Sequence, residues 1–281
     1  MIKNTLVALD GSPCAEDARR YAVALCLKLR AQLEAAHVVD TRLFALPPTV
    51  AGQAAALSVY PTQTAQNIQQ ILRRRGEACL AEAAARSEAE GLPMPTSLHV
   101  GIPAQILADL QAHTELLVIG RFGEHASPDA PMTGSTTDRV VRRACRPCLV
   151  VPPSPPAPGR ILVALDGSPY SFRAAHVACE LANALAAPLV LLAVAERPDR
   201  RDEAQSLAAE AHRLARAHEC AAATYVAEGA PAPKILETAA QTGSTLLVAG
   251  SHGHGWIYDR LIGGTAAHLL ANSPLPLLFV R

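Results

Sequence analysis

A chain of 281 residues, half of them hydrophobic, holds enough material for two domains of ordinary size with packed cores. Twenty-five basic residues against 25 acidic ones leave no net charge, which removes general electrostatic attraction to nucleic acid or an anionic membrane. No apolar run approaches the ~18–20 residues that span a bilayer, and seven scattered cysteines, an odd number, form no disulfide framework. Met1 leads straight into an apolar segment with no targeting signal ahead of it, so the expectation is a cytosolic protein. Aromatics are only 4%, and the cores must be built from Ala, Leu and Val.

Taken in order, Asn4-Thr-Leu-Val-Ala-Leu-Asp10 is a strand candidate. Gly11, Ser12 and Pro13 follow, Ser12 suited to a helix N-cap and Pro13 to the first helical position. The helix to about Arg30 carries Ala18, Tyr21, Ala22, Leu25, Cys26 and Leu29 on one stripe. A second strand is expected over residues 33–40. Residues 41–70, with Pro47, Pro48 and Gly52, read as a long surface loop, and 71–89 as a helix. The run Arg73-Arg-Arg75 reads as a solvated face of that helix. Cys145-Arg-Pro-Cys148 is the sole CxxC; Cys148 opens an apolar strand and no second CxxC completes a zinc site, which makes the pair structural.

Asp10 recurs 156 residues later as Asp166, inside a letter-for-letter copy of Leu-Val-Ala-Leu-Asp-Gly-Ser-Pro. The helical stripe recurs as Ala174, Val177, Ala178, Leu181, Ala182 and Leu185, and the closing Pro147-Cys-Leu-Val-Val151 as Pro276-Leu-Leu-Phe-Val280. The chain is therefore two copies of one domain, residues 1–151 and 160–281. Residues 152–159 join them, five prolines in eight, an extended linker. Each copy alternates strand and helix as β-α-β-α-β-α-β-α-β. That order implies an α/β fold of two tandem Rossmann-like or flavodoxin-like domains, each a five-stranded parallel sheet with helices on both faces. Ligands of such sheets sit beyond the carboxyl ends of the strands, at the topological switch point. There the sequence puts Asp10, Val38 and the Gly120 turn in copy one, and Asp166, Val194 and the Gly250 turn in copy two.

A glycine-rich turn between strand and helix lets backbone N–H groups approach a phosphate, and the helix N-terminus adds partial positive charge. No Gly-Lys pair exists, which excludes a P-loop, and no GxGxxG follows either first strand. What remains is Gly250-Ser-His-Gly253, nine residues, then Gly263-Gly264-Thr265; copy one has Gly120-Arg-Phe-Gly123, ten residues, then Gly134-Ser135. With the first-strand Asp, the His-Val at the end of the second strand, the Gly-x-Pro at Gly101 and Gly229, and the closing strand, this resembles the universal stress protein family in its tandem form. The resemblance covers both copies and implies an adenine nucleotide alpha hydrolase-like fold that binds ATP, with Mg2+ where polyphosphate is held.

By that resemblance Asp10 and Asp166 lie near ribose and adenine, and Val38 and Val194 line the base. Gly120, Gly123, Gly134 and Ser135 cradle phosphates in copy one; Gly250, Gly253, Gly263 and Gly264, with Thr265, do so in copy two. Both copies depart from the pattern. Copy one has a residue too many and places Asp129 near any phosphates, where a carboxylate repels them. Copy two has Gly264 where a hydroxyl is expected, leaving backbone donors to hold the phosphate. The bland readings stand beside these. Asp-Gly-Ser-Pro is also a good strand-to-helix turn. His252 and His254 suit hydrogen bonding beside the loop better than metal binding, and His37 and His99 suit satisfied core or rim positions. No catalytic base, Ser–His pair or carboxylate pair stands at defined spacing, so the sequence supports binding over turnover. The resulting expectation is a nucleotide-binding stress-response regulator with slow hydrolysis at most. It is built as an internal pseudo-dimer through the last strands, with a further homodimer and a protein partner left open. The alternatives are an interaction protein that binds no nucleotide and a slow Mg2+-dependent ATPase.

Overall fold

Leu6-Val-Ala8 and its counterparts in the central strands are apolar at every position because those strands lie between two helical layers and are buried on both faces, whereas the strands at the two sheet edges, residues 96–101 and 222–228, are partly exposed. Side chains alternate across the sheet: Val7 and Leu9 join one core layer with α1, while Leu6 and Ala8 join the other. The computed structural model describes residues 2–43, 60–124, 133–251 and 262–281, with 60–65 described by backbone alone.

The first copy runs β1 (Asn4–Ala8), α1 (Pro13–Leu29), β2 (Gln32–Asp40), α2 (Tyr60–Ala89), β3 (Thr96–Gly101), α3 (Pro103–Gln111), β4 (Leu116–Gly120), α4 (Ser135–Arg143) and β5 (Cys148–Val151). The second repeats it as β6 (Ile161–Leu165), α5 (Pro169–Leu185), β7 (Leu189–Ala195), α6 (Arg201–Ala217), β8 (Ala222–Glu228), α7 (Pro231–Thr242), β9 (Leu246–Gly250), α8 (Gly264–Asn272) and β10 (Leu277–Val280). Helix α1 buries all six residues of its expected stripe, and Ser12 caps it by accepting the Ala15 N–H at 3.1 Å. One expectation fails: α2 starts at Tyr60, not near residue 71, so the copy-one insertion is partly helical. Pro61 in the first turn and the helix-tolerant glutamines after it explain the earlier start.

All ten strands form one sheet in the order β3-β2-β1-β4-β5-β10-β9-β6-β7-β8. Pairing is parallel within each copy. The copies meet where β5 and β10 pair antiparallel, with Leu278 opposite Leu149 and Phe279 opposite Cys148. Cys148 is wholly buried in that seam, and burial pushes its thiol up to about 12. The linker is fastened to copy one: Ser154 N–H donates to Asp17 at 2.9 Å, and Lys28 Nζ donates to the Pro158 carbonyl at 3.1 Å. In each half the strand order reverses between the first and fourth strands, β1 and β4, or β6 and β9. That reversal fixes where a crevice opens. Among the described residues, no helix is long and apolar enough to cross a membrane.

Candidate functional site at the two switch points

The Asp-Gly-Ser-Pro segments turn sharply from strand into helix, with Gly11 at φ +86° and Gly167 at φ +79°. Only glycine adopts that backbone without strain. In both turns the carboxylate braces the chain two residues on: Asp10 Oδ1 accepts the Ser12 N–H, and Asp166 Oδ1 the Ser168 N–H, each at 2.9 Å. One oxygen of each aspartate is therefore engaged in building the turn, as the structural reading of this segment holds.

Gly120 and Gly250 end the neighbouring strands. A Cβ on Gly120 would lie 2.9 Å from both the carbonyl carbon and oxygen of Cys14; on Gly250 it would lie 2.9 Å from the Tyr170 carbonyl carbon. The glycine here lets the first turn of α1 or α5 lie against the strand end, a packing need that exists with or without a ligand. Gly123 is different, since its Cβ would fall 2.8 Å from Asp10 Oδ2. Gly134 and Gly263 stand immediately before α4 and α8, and neither helix has a side-chain cap. The first-turn N–H groups of both helices point away from the helix body without intrahelical acceptors, an arrangement suited to an anion. Ser135 is exposed at the start of α4, and Thr265 is half-buried in the first turn of α8. A Cβ at Gly264 would meet nothing within 4 Å. Val38 and Val194 are half-buried near the carboxyl ends of β2 and β7.

The two copies diverge at the aspartate. In copy one the Glu124 N–H donates to Asp10 Oδ2 at 3.0 Å, so both carboxylate oxygens carry a backbone N–H. The Glu124 side chain in turn forms an ion pair with Arg75 of α2. In copy two Asp166 is exposed, and among the described residues only the Ser168 N–H reaches it. Gly253, His252, His254 and Trp256 lie outside the described residues, as do Asp129 and the rest of 125–132.

His99 is satisfied, its Nε2 2.9 Å from Ser97 Oγ. His37 departs from the expectation of a satisfied residue: its Nδ1 is buried without a partner, and burial holds its pKa below the ordinary histidine value. Gly76 of α2 packs on its ring, where a Cβ would come within 2.5 Å. Two arginine contacts escaped the sequence reading. Arg75 is exposed, as expected of the solvated run, but its ion pair with Glu124 arises only from the loop's path. Arg121 fills an unassigned place in the copy-one motif, yet it is buried and donates through Nη2 to the Ser273 carbonyl of copy two.

Comparison with known proteins adds the following. A family model described as the universal stress protein family matches residues 1–152 and 158–281. A universal stress protein of Synechocystis is 23% identical over 288 residues, covering 100% of both chains. One of Mycobacterium tuberculosis is 27% identical over 313 residues, covering 98% of this chain and 94% of its own. Among solved structures, a universal stress protein from Archaeoglobus fulgidus superposes with a TM-score of 0.77 at 18% identity, covering 99% of this chain and 98% of the other. One from Pseudomonas aeruginosa, described as putative, gives 0.64 at 19% identity, covering 99% and 93%. Both structural likenesses speak to the fold.

Proposed function

The chain belongs to the universal stress protein family, in tandem form, and from that premise we propose that it is a cytosolic, ATP-type nucleotide-binding regulator whose working site lies in copy two. The observation that carries this is the uncapped start of α8. The Gly263 N–H is held by the Ser251 carbonyl at 3.4 Å, while the first-turn N–H groups from Gly264 onward lie at a switch point, with open space where a side chain on Gly264 would stand. Asp166, exposed on the adjacent strand end, has a second oxygen for ribose or adenine, and Val194 offers an apolar surface for the base. Gly250, Gly253 and Thr265 complete the copy-two set. Mg2+ would arrive with the nucleotide, held by its phosphates. The role is binding, with hydrolysis slow at most.

Copy one supports a second reading for its own half, that of a structural partner. Asp10 is tied to the segment after β4 and Glu124 brings a further carboxylate to the site, so Asp10, Val38, Gly120, Gly123, Gly134 and Ser135 form a weaker cradle.

The test is calorimetric titration with ATP, with and without Mg2+, alongside the emission of Trp256, the chain's only tryptophan and part of the copy-two loop by sequence. One nucleotide per chain with a change in Trp256 emission is the expected result. Absence of any heat at millimolar ATP overturns the proposal, and binding with a silent Trp256 assigns the site to the wrong half.

A further inference from the structure

Each copy places an arginine at the carboxyl end of the other copy's loop helix. Arg121 Nη2 donates to the carbonyl of Ser273, the residue that ends α8, and Arg281 Nη2 donates to Arg142 O in the last turn of α4 at 3.3 Å. A guanidinium is favourable there because carbonyls without intrahelical partners and the negative end of the helix dipole meet at that terminus. The two contacts are not equivalent. Arg281 follows the last strand, whereas Arg121 belongs to the copy-one loop itself.

Arg121 is 5% exposed and Ser273 is 0% exposed, so the contact lies inside the seam between copies. Arg121 Nε is buried without a partner, and burial pushes the guanidinium below its usual range with no carboxylate acting against that. A buried cation held by one carbonyl is costly, and an apolar side chain would serve mere packing better. The backbone of the same residue is tied to its own loop. Arg121 N–H donates to Val151 O at 2.8 Å, and Arg121 O accepts the N–H of Gly134, the residue before α4, at 3.0 Å. One residue thus joins the start of α4 to the end of α8. The corresponding position in copy two is Ser251, which has no side chain long enough to return the contact.

We propose that Arg121 is a positioning residue through which copy one sets the placement of α8, and with it the first-turn backbone donors of copy two that begin at Gly264. A group that draws the Gly134 N–H away from Arg121 O shifts the anchor of the guanidinium, and α8 moves as a rigid unit of nine residues. The bearing of this on nucleotide affinity rests on the proposed function; the mechanical link does not.

The experiment is amide hydrogen exchange on the full chain without nucleotide, comparing wild type, Arg121→Met and Arg121→Lys, with nucleotide affinity as a second arm. In Arg121→Met, amides of residues 267–273 are expected to exchange on the order of tenfold faster, while β6, β9 and α5 keep wild-type protection. Arg121→Lys, which retains a cation at the helix end, restores much of the protection. ATP affinity falls several-fold in Arg121→Met at unchanged stoichiometry. Uniformly faster exchange across both copies, or none at 267–273, overturns the proposal. If exchange behaves as stated but the wild type binds no nucleotide, the link stands and the nucleotide reading falls.

Discussion

The backbone N–H of Glu124 donates to Asp10 Oδ2 at 3.0 Å, which ties the first aspartate of the chain to the segment after β4, whereas Asp166 at the equivalent turn is left exposed. The same eight-residue motif therefore carries a doubly bonded aspartate in copy one and an exposed one in copy two. Asp166→Ala is expected to weaken ATP binding by tenfold or more, since a hydrogen bond to a charged group contributes about 1.5–3 kcal/mol. Asp10→Ala is expected to leave that affinity within about twofold, consistent with a contact that is mainly structural. Titration of both variants decides the point: equal losses would mean that copy one binds as well.

Gly264 and Gly250 separate a glycine in open space from a packing glycine. Gly264 has open space around its Cβ position, while a Cβ at Gly250 would press on the backbone of Tyr170 and Ser171. Gly264→Ser is expected to fold normally and to bind ATP more tightly, because it supplies a hydroxyl in the first turn of α8. Gly250→Ala is expected to cost roughly 1–3 kcal/mol of stability through overpacking, whatever its effect on ligand. Thermal melts read beside the titrations distinguish them. A serine at 264 that lowers affinity would argue against phosphate at that helix.

How far the sequence carries depends on whether a residue acts locally. The repeat, the strand runs and the helix stripes are governed by burial at periods of 2 and 3.6, and both copies carry them in plain view. The Ser12 and Ser168 caps follow from neighbours a few residues away. What stayed hidden is set by contacts distant in the chain. Glu124 meets Arg75 across 49 positions, and Arg121 meets Ser273 across 152. Neither partner carries a motif that announces the other. Gly120 and Gly250 were legible as glycines of the motif but not as packing positions, because the close approach of α1 and α5 to the strand ends exists only once the sheet is assembled.

Cys148 provides a probe of the seam. It is wholly buried in β5 opposite Phe279, and burial raises its thiol to about 12, so thiolate is scarce in the folded protein. Cys145, three residues earlier, is exposed. A maleimide at neutral pH is expected to label Cys145 within minutes and Cys148 only after denaturation, read by peptide mass. Cys148 labelling as fast as Cys145 would mean that the β5–β10 pairing opens in the native state.

The acid limb of stability should report on α1 and α2. Arg19 is almost fully buried and its Nη2 bonds Glu16 at 2.9 Å and Glu90 at 2.7 Å, with Arg86 adding a contact to Glu16 at 3.3 Å. Burial alone would raise the Glu16 pKa, but hydrogen bonding and charge from Arg19, together with Arg86, outweigh it and hold the carboxyl below its ordinary value of 4.5. A group whose pKa is lower when folded contributes stability that is fully present above its unfolded value and is lost as pH falls through the folded one. Glu16→Gln should therefore be less stable than wild type at neutral pH, and the difference should shrink below about pH 4. Because Glu16 is partly solvent-exposed, the loss should be modest, about 1 kcal/mol. Arg19→Met should cost more, since it leaves Glu16 and Glu90 without the guanidinium that joins the two helices. Urea unfolding of the three proteins from pH 3 to 8 measures both effects, and a Glu16→Gln deficit that does not shrink on acidification would assign the effect to packing rather than charge.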